Sequence, residues 1–335
     1  MTNKPKAIAL YSGGLDSALA ILVMIHHEVE VEALKFIIPF GYSTGDMPSG
    51  NSTSSSVAKE WGFNIINKHL GWDFVEIVKN PKFGRGKNMN PCIDCRLLML
   101  KEAGVHMERS GADFVITGEV LGQRPLSQLR DNLDMIAEKS GLGGRLVRPL
   151  SGKLLPPTLP EKEGLIKREW LLDIQGRSRK KQIALAKKFG LKDYSSPAGG
   201  CLLTDQQYSR KIEDLFTFES KFDFNDIDLL RVGRHFRLSE RCKLIIGRNE
   251  EENKAILYLS KKSDFIFEVM NVGSPIGLLR GKASQDDIKL AVSITARYSD
   301  AKTQKSVIVN IKKGDQSKDI PICPIDNEIL NKYRI

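Results

Sequence analysis

The chain of 335 residues contains no apolar run long enough to span a membrane. Its opening, Met-Thr-Asn-Lys-Pro-Lys, lacks the hydrophobic core of a signal peptide. A cytoplasmic protein with no membrane partner is expected. Cysteine is scarce: Cys92, Cys95, Cys201, Cys242 and Cys323 are the full set. In a long cytosolic chain that pattern excludes a disulfide framework and leaves free thiols, metal ligands or redox groups. There is no second CxxC, and His26, His27, His69, His106 and His235 show no zinc spacing near the cysteines. A closed four-ligand zinc site is therefore poorly supported. No GKS or GKT follows a glycine pair, so there is no Walker A loop. No internal repeat is visible. Acidic residues are in deficit, 41 against 51 Lys and Arg, and the net charge of +10 favours a polyanionic partner. With 41% hydrophobic and 27% charged residues, the composition is that of a soluble globular protein of two or three domains.

What is present centres on residues 7–17, AIALYSGGLDS. Residues 7–11 read as a buried strand. Leu15, Ala18, Leu19, Leu22 and Val23 then follow at helical spacing. Ser12–Ser17 is thus a tight turn between a strand and a helix N-terminus, where an anion is favoured. Gly13 and Gly14 let the backbone close on a phosphate. Ser12 and Ser17 add hydroxyls. Asp16, an anion beside an anion, implies that a metal ion travels with the phosphate.

Strands are expected over 29–38, 63–69, 112–117 and 145–150, with helices over 54–61 and 126–139. Trp72–Lys79 reads as a further amphipathic stretch. The alternation argues a doubly wound parallel α/β sheet over residues 1–150. Residues 81–90, PKFGRGKNMN, have no hydrophobic period and read as a mobile basic loop. Pro156, Pro157 and Pro160 mark a boundary or a rigid loop. Residues 151–227 read as an extension, and Arg177, Arg179, Lys180, Lys181, Lys187 and Lys188 within it as a phosphate-contacting surface. Residues 228–335 show short alternating strands over 243–246, 265–269, 276–279 and 306–311, with a helix over 285–296. They are expected to form a smaller C-terminal α+β domain.

Cys92 and Cys95 open a helix of about sixteen residues, judged by its apolar spacing, where the dipole favours a thiolate. Alone, CxxC reads equally as a zinc half-site, a redox pair or part of a cluster site. Cys201 emerges from a Gly-Gly-Cys loop. Three thiolates leave one iron of a [4Fe–4S] cluster without a protein ligand, free to hold sulfide. For Cys242 and Cys323 an incidental thiol is the simpler reading, and for His235 an ordinary surface histidine.

SGGLDS after a strand resembles the PP-loop ATP pyrophosphatases. The resemblance implies cleavage of ATP to AMP and pyrophosphate, with AMP passing to a substrate oxygen. It implies bound ATP and Mg²⁺ at Ser12, Gly13, Gly14, Asp16 and Ser17. The backbone near Phe36 would lie against the adenine, and the Thr117-Gly118 turn would close the site. YSGGLDSALA, VEALKF and ADFVITGE look like the tRNA 2-thiouridylases, over about residues 6–205. In one branch of these thiolation enzymes a CxxC and a distant third cysteine bind a [4Fe–4S] cluster. In another, two cysteines work through a persulfide and a disulfide. Cys92, Cys95 and Cys201 match the three-cysteine pattern. Departures are Glu119 where His is usual, no THUMP domain before residue 7, and no zinc-finger motifs. Residues 247–249 and 252–253, GRN and EN, resemble the RNA-binding domain of NFACT-type proteins.

Together these imply an ATP-dependent tRNA sulfurtransferase. Asp16, Cys92 and Cys201 would be catalytic, and Cys92, Cys95 and Cys201 the cluster ligands. Arg124 and Gln128 would stand within reach of RNA or ATP phosphate. The sulfur donor would be sulfide or a sulfur-carrier protein. The oligomeric state is open, a homodimer among the options. The alternatives are a PP-loop enzyme transferring nitrogen to a small-molecule carboxylate, and a non-enzymatic RNA-binding protein.

Overall fold

A computed structural model describes residues 4–41, 50–192, 194 and 201–335, with only the backbone of 50–55. It divides into two compact units, residues 1–204 and 205–335. The stretch 151–227 is shared between them.

The first unit is built on a five-stranded sheet, parallel throughout, in the order β3-β2-β1-β4-β5. The strands are β1 (Lys6–Leu10), β2 (Glu30–Ile37), β3 (Asn64–His69), β4 (Phe114–Thr117) and β5 (Leu146–Val147). The helices are α1 (Leu15–His26), α2 (Gly50–Trp61), α3 (Gly71–Lys79), α4 (Cys92–Ser110), α5 (Arg130–Lys139), α6 (Leu159–Lys162) and α7 (Lys180–Lys188). Central β1 serves both faces. Ala7 and Ala9 enter the core beneath α1, α2 and α7, whereas Ile8 and Leu10 enter the core beneath α4 and α5. A period of two on a sheet covered on both sides produces this split. It is the doubly wound arrangement that the alternating elements imply.

Two local readings change. The helix expected from Leu126 begins only at Arg130. Leu126 has φ of +68°, outside the right-handed helical region, and the preceding residues form turns. Residues 81–90 are irregular, but hydrogen bonds tie them down. The Asp94 carboxylate accepts from the Lys82 and Phe83 amides at 3.0 and 3.1 Å. Arg85 donates to the Val78 and Lys79 carbonyls that end α3. Asn88 donates to the Thr204 carbonyl, and the Met89 amide to that of Leu203. This is a fastened loop, not the mobile one that its composition suggests. The proline-rich segment is likewise part of the first unit. Ser151 Oγ donates to the Ile174 carbonyl, and Gly152 lies against Leu171 with no room for a Cβ.

The second unit has a six-stranded antiparallel sheet, β11-β10-β8-β9-β7-β6. Its helices are α8 (Gln206–Phe218), α9 (Phe224–Leu229), α10 (Glu250–Leu259), α11 (Gln285–Arg297) and α12 (Asn327–Leu330). The strands are β6 (Arg234–Ser239), β7 (Cys242–Ile246), β8 (Phe265–Val269), β9 (Gly277–Gly281), β10 (Val307–Lys313) and β11 (Gln316–Ile322). Ala291, Val292, Ile294 and Ala296 of α11 share a core with β6 to β10. The C-terminal α+β expectation holds, with β6 and β11 as added edge strands. His235 is buried in β6 at 2% exposure, so it is not a surface histidine. Among the described residues no helix is long and apolar enough to cross a membrane.

Candidate active site

A cleft of about 350 Å³ opens at the carboxyl ends of β1, β2 and β4. Doubly wound sheets bind ligands at this edge, where the strand order reverses. Its walls bring together Ser12, Gly14, Asp16, Ser17, Phe36 and Gly118 from the phosphate-loop side. They also carry Cys95, Arg96, Arg124, Gln128, Arg179 and Cys201.

The loop braces itself. Ser17 Oγ donates to the Gly14 carbonyl at 2.8 Å and lies 3.2 Å from Ser12 Oγ. The Ser12 amide donates to Ser17 Oγ at 3.3 Å. Gly13 has φ of +77°, a conformation that favours glycine. Gly14 does not; at φ of −87° it is the N-cap of α1 and supplies no side-chain cap. The first-turn amides of α1 are therefore left for an anion. Gly118 closes the other side. A Cβ there would stand 2.5 Å from Asp16 C and Ser17 N. Gly118 is needed for contact with the loop itself.

Asp16 is not simply open to a ligand. Its Oδ2 accepts from Gln123 Nε2 at 2.7 Å and from Arg179 Nη2 at 3.1 Å. Its Oδ1 is buried without a hydrogen-bond partner. The basic segment thus divides: Arg179 turns inward onto Asp16, while Arg177, Lys180, Lys181, Lys187 and Lys188 are exposed.

At the opposite wall the cysteines converge. Cys95 and Cys201 line the cleft. The Cys92 thiol stands beside them, hydrogen-bonded with the Asn90 side chain, close enough that a negative charge on it would raise both. Burial pushes all three thiols up, Cys95 to about 12. Arg124 and Arg96 oppose this at Cys92, and Arg96 at Cys95. The helix N-terminus does not yield the thiolate that position alone suggests, because desolvation outweighs it. Among the described residues no three His, Cys, Asp or Glu side chains are grouped so as to hold a metal ion. The Gly-Gly pair before Cys201 lies outside the described residues.

Glu119 is buried between two arginines. Arg148 Nε donates to Oε2 at 2.9 Å, and Thr117 Oγ1 to the same oxygen at 3.1 Å. Arg96 Nε stands 3.0 Å from Oε1, an ion pair without hydrogen-bond alignment. Burial would raise the Glu119 carboxyl, but the two guanidiniums outweigh it and hold it below the usual range. Sequence reasoning missed Arg96, Gln123, Arg148 and Gln182. Only Gln182 left a signal, a polar residue on the inward stripe of α7, four before buried Ala186.

The family model described as thiamine biosynthesis protein (ThiI) matches residues 2–153. The one described as NFACT protein RNA binding domain matches residues 233–334. A probable tRNA sulfurtransferase of Thermococcus kodakarensis is 30% identical over 157 residues, 44% of this chain and 37% of that protein. One from Methanosarcina mazei is 29% identical over 128 residues, 35% of this chain and 29% of that protein. The chain therefore spans well under half the length of these relatives. A crystal structure of a 4-thiouridine synthetase–RNA complex with bound ATP aligns with a TM-score of 0.38 at 21% identity. That alignment covers 68% of this chain and 52% of the other. Residues 2–153 are thus similar to the ThiI family and residues 233–334 to the NFACT RNA-binding domain.

Proposed function

We propose that this chain is an ATP-dependent tRNA sulfurtransferase. One observation carries the reading: the SGGLDS loop, Cys95 and Cys201 line a single cleft. A phosphate site alone accounts for adenylation, and the facing thiols supply a place for sulfur. The reading is supported by the two domain matches and by the names of the partial relatives.

ATP would rest with its phosphates on the open amides of α1 and its adenine near Phe36. A base carbonyl oxygen attacks the α-phosphate, and the bond to pyrophosphate breaks. The oxygen is now part of an AMP leaving group. Sulfur held at the cysteine wall attacks the same carbon; the C–S bond forms, the C–O bond breaks and AMP departs. Arg96, Arg124 and Arg179 bring three fixed positive charges to this cleft, where phosphate charge develops.

Mg²⁺ fits the site, because buried Asp16 Oδ1 lacks a hydrogen-bond donor while Gln123 and Arg179 occupy Oδ2. Asp16 would hold it; bound there, it would neutralise phosphate charge. For iron the donor set is the test. Cys92, Cys95 and Cys201 are three soft thiols suited to a cluster. Their spacing does not gather them around a single ion, whereas a cluster spreads its ligands more widely. A [4Fe–4S] cluster held by them would supply an open iron for sulfide. The alternative source is a persulfide on Cys92 or Cys201, whose S–S bond the other thiol would break after C–S bond formation, leaving a Cys92–Cys201 disulfide to be reduced by an external thiol. The exposed lysines of α7, Lys82 and Lys87, and the C-terminal unit would meet the tRNA backbone.

The deciding experiment is nucleoside mass spectrometry of tRNA from a deletion strain. One thiolated nucleoside should vanish and return with the wild-type gene. An unchanged profile would reject the assignment. Anaerobically purified protein should absorb near 400 nm, and Cys95→Ala should remove that band; colourless protein with full activity would exclude the cluster.

A further inference from the structure

Behind Asp16 runs a chain of two amides. Gln182, on the inner face of α7, is wholly buried. Its Nε2 donates to Gln123 Oε1 at 3.0 Å. Gln123 Nε2 in turn donates to Asp16 Oδ2 at 2.7 Å. The direction is set by chemistry. An amide oxygen only accepts and its NH₂ only donates, so a donor on Gln123 Oε1 dictates which end of Gln123 meets the carboxylate. With Arg179 on the same oxygen, Oδ2 is occupied twice, while Oδ1 is buried and has no partner.

Gln182 has an anomaly of its own. Its Oε1 is buried without a donor. Such an oxygen is destabilising, and an apolar side chain of similar size would avoid the penalty. The position lies on the buried stripe with Ala186, where apolar residues are the norm. Folding stability therefore gives no reason for an amide here; its one bond, to Gln123, does.

We propose that Gln182 and Gln123 are positioning residues for the cation that accompanies ATP. They hold the Asp16 carboxylate in one rotation, with Oδ2 turned to the protein and Oδ1 kept for the metal. The inference rests on the ATP reading above. Residues that orient a metal ligand typically change affinity ten- to a hundred-fold when removed.

The test uses the full chain, α,β-methylene-ATP and Mn²⁺ as the paramagnetic probe, with free Mn²⁺ followed by electron paramagnetic resonance. Gln182→Leu and Gln123→Leu should each weaken Mn²⁺ in the ternary complex by ten-fold or more. The urea midpoint of Gln182→Leu should be equal to the wild type or higher, which a merely structural role would not give. Equal Mn²⁺ affinity in wild type and both variants, with nucleotide bound, would overturn the relay alone. A wild-type chain that takes up no nucleotide would overturn the ATP reading and the relay with it.

Discussion

Arg96, the residue after Cys95, is held 3.0 Å from Glu119, the residue after Gly118. The contact joins the start of α4 to the end of β4, and so the cysteine wall to the phosphate wall. Arg148 grips the other carboxylate oxygen. Removing Glu119 leaves Arg148, 5% exposed, as an uncompensated charge. Glu119→Ala should lower stability by about 3–5 kcal/mol, as breaking a buried pair does. Urea unfolding checks this. A Glu119→Leu, Arg148→Leu double variant should recover part of the loss.

Gly118→Ala tests the closeness of the two walls. The added methyl meets Asp16 C and Ser17 N at 2.5 Å, and both are backbone atoms that cannot rotate away. Overpacking of this kind is destabilising by about 1–3 kcal/mol. The circular dichroism spectrum should be retained while ATP affinity, by calorimetry, falls ten-fold or more. By contrast Gly14→Ala meets only Ser12 Oγ at 3.4 Å, and its fold should be kept.

Part of this arrangement is legible in the sequence. Strand β1, the loop and the CxxC helix were legible because each has a local signature: apolar period, glycine, spacing. The Glu119–Arg148 pair was not, because its partners lie 29 residues apart and only the β4–β5 pairing brings them together. From the sequence Arg179 reads as part of a uniform basic surface. Charge in a sequence has no direction, and which of six cations turns inward depends on where α7 meets α1. Edge strands β6 and β11 escaped notice because edges carry charge and proline, Arg234 and Arg237 in one and Lys318 and Pro321 in the other. Helix α8 was visible in principle, with Tyr208, Ile212 and Leu215 at helical spacing.

The C-terminal unit should be acid-sensitive. Burial holds the His235 imidazole well below its usual range, with Lys211 and Lys243 adding repulsion. The unfolded chain therefore binds this proton first, near pH 6.5. Stability is complete above that value and falls as pH drops below it, by about 1.4 kcal/mol per unit at most. Urea unfolding at pH 7.5 and 5.5, followed in the full chain, should show the loss. His235→Gln should flatten it.

Lys243 offers the opposite experiment. Its ammonium is buried in β7 without a hydrogen-bond partner, and burial brings its pKa down to about 8. Below that pH both folded and unfolded chains carry the charge, and the folded state bears its desolvation. Lys243→Met keeps the length and removes the charge. It should raise stability by about 2 kcal/mol at pH 7, measured as a shift in the urea midpoint of the second unit. A loss instead would show that Asp214 and Glu219 need this cation more than burial opposes it.

The two-faced burial of β1 governs when the phosphate loop can open. The strand before the loop feeds both cores, and in the helix after it every residue from Ser17 to Met24 is buried. Local fluctuations begin where few apolar contacts hold the chain. Residues 11–16 are bracketed by buried segments that hold both ends of the loop in place. The amides of Leu19–Met24, hydrogen-bonded within buried α1, should exchange with solvent water only when the whole first unit comes apart, whereas the open first-turn amides, Ser17 among them, should exchange without unfolding and become protected when a phosphate binds.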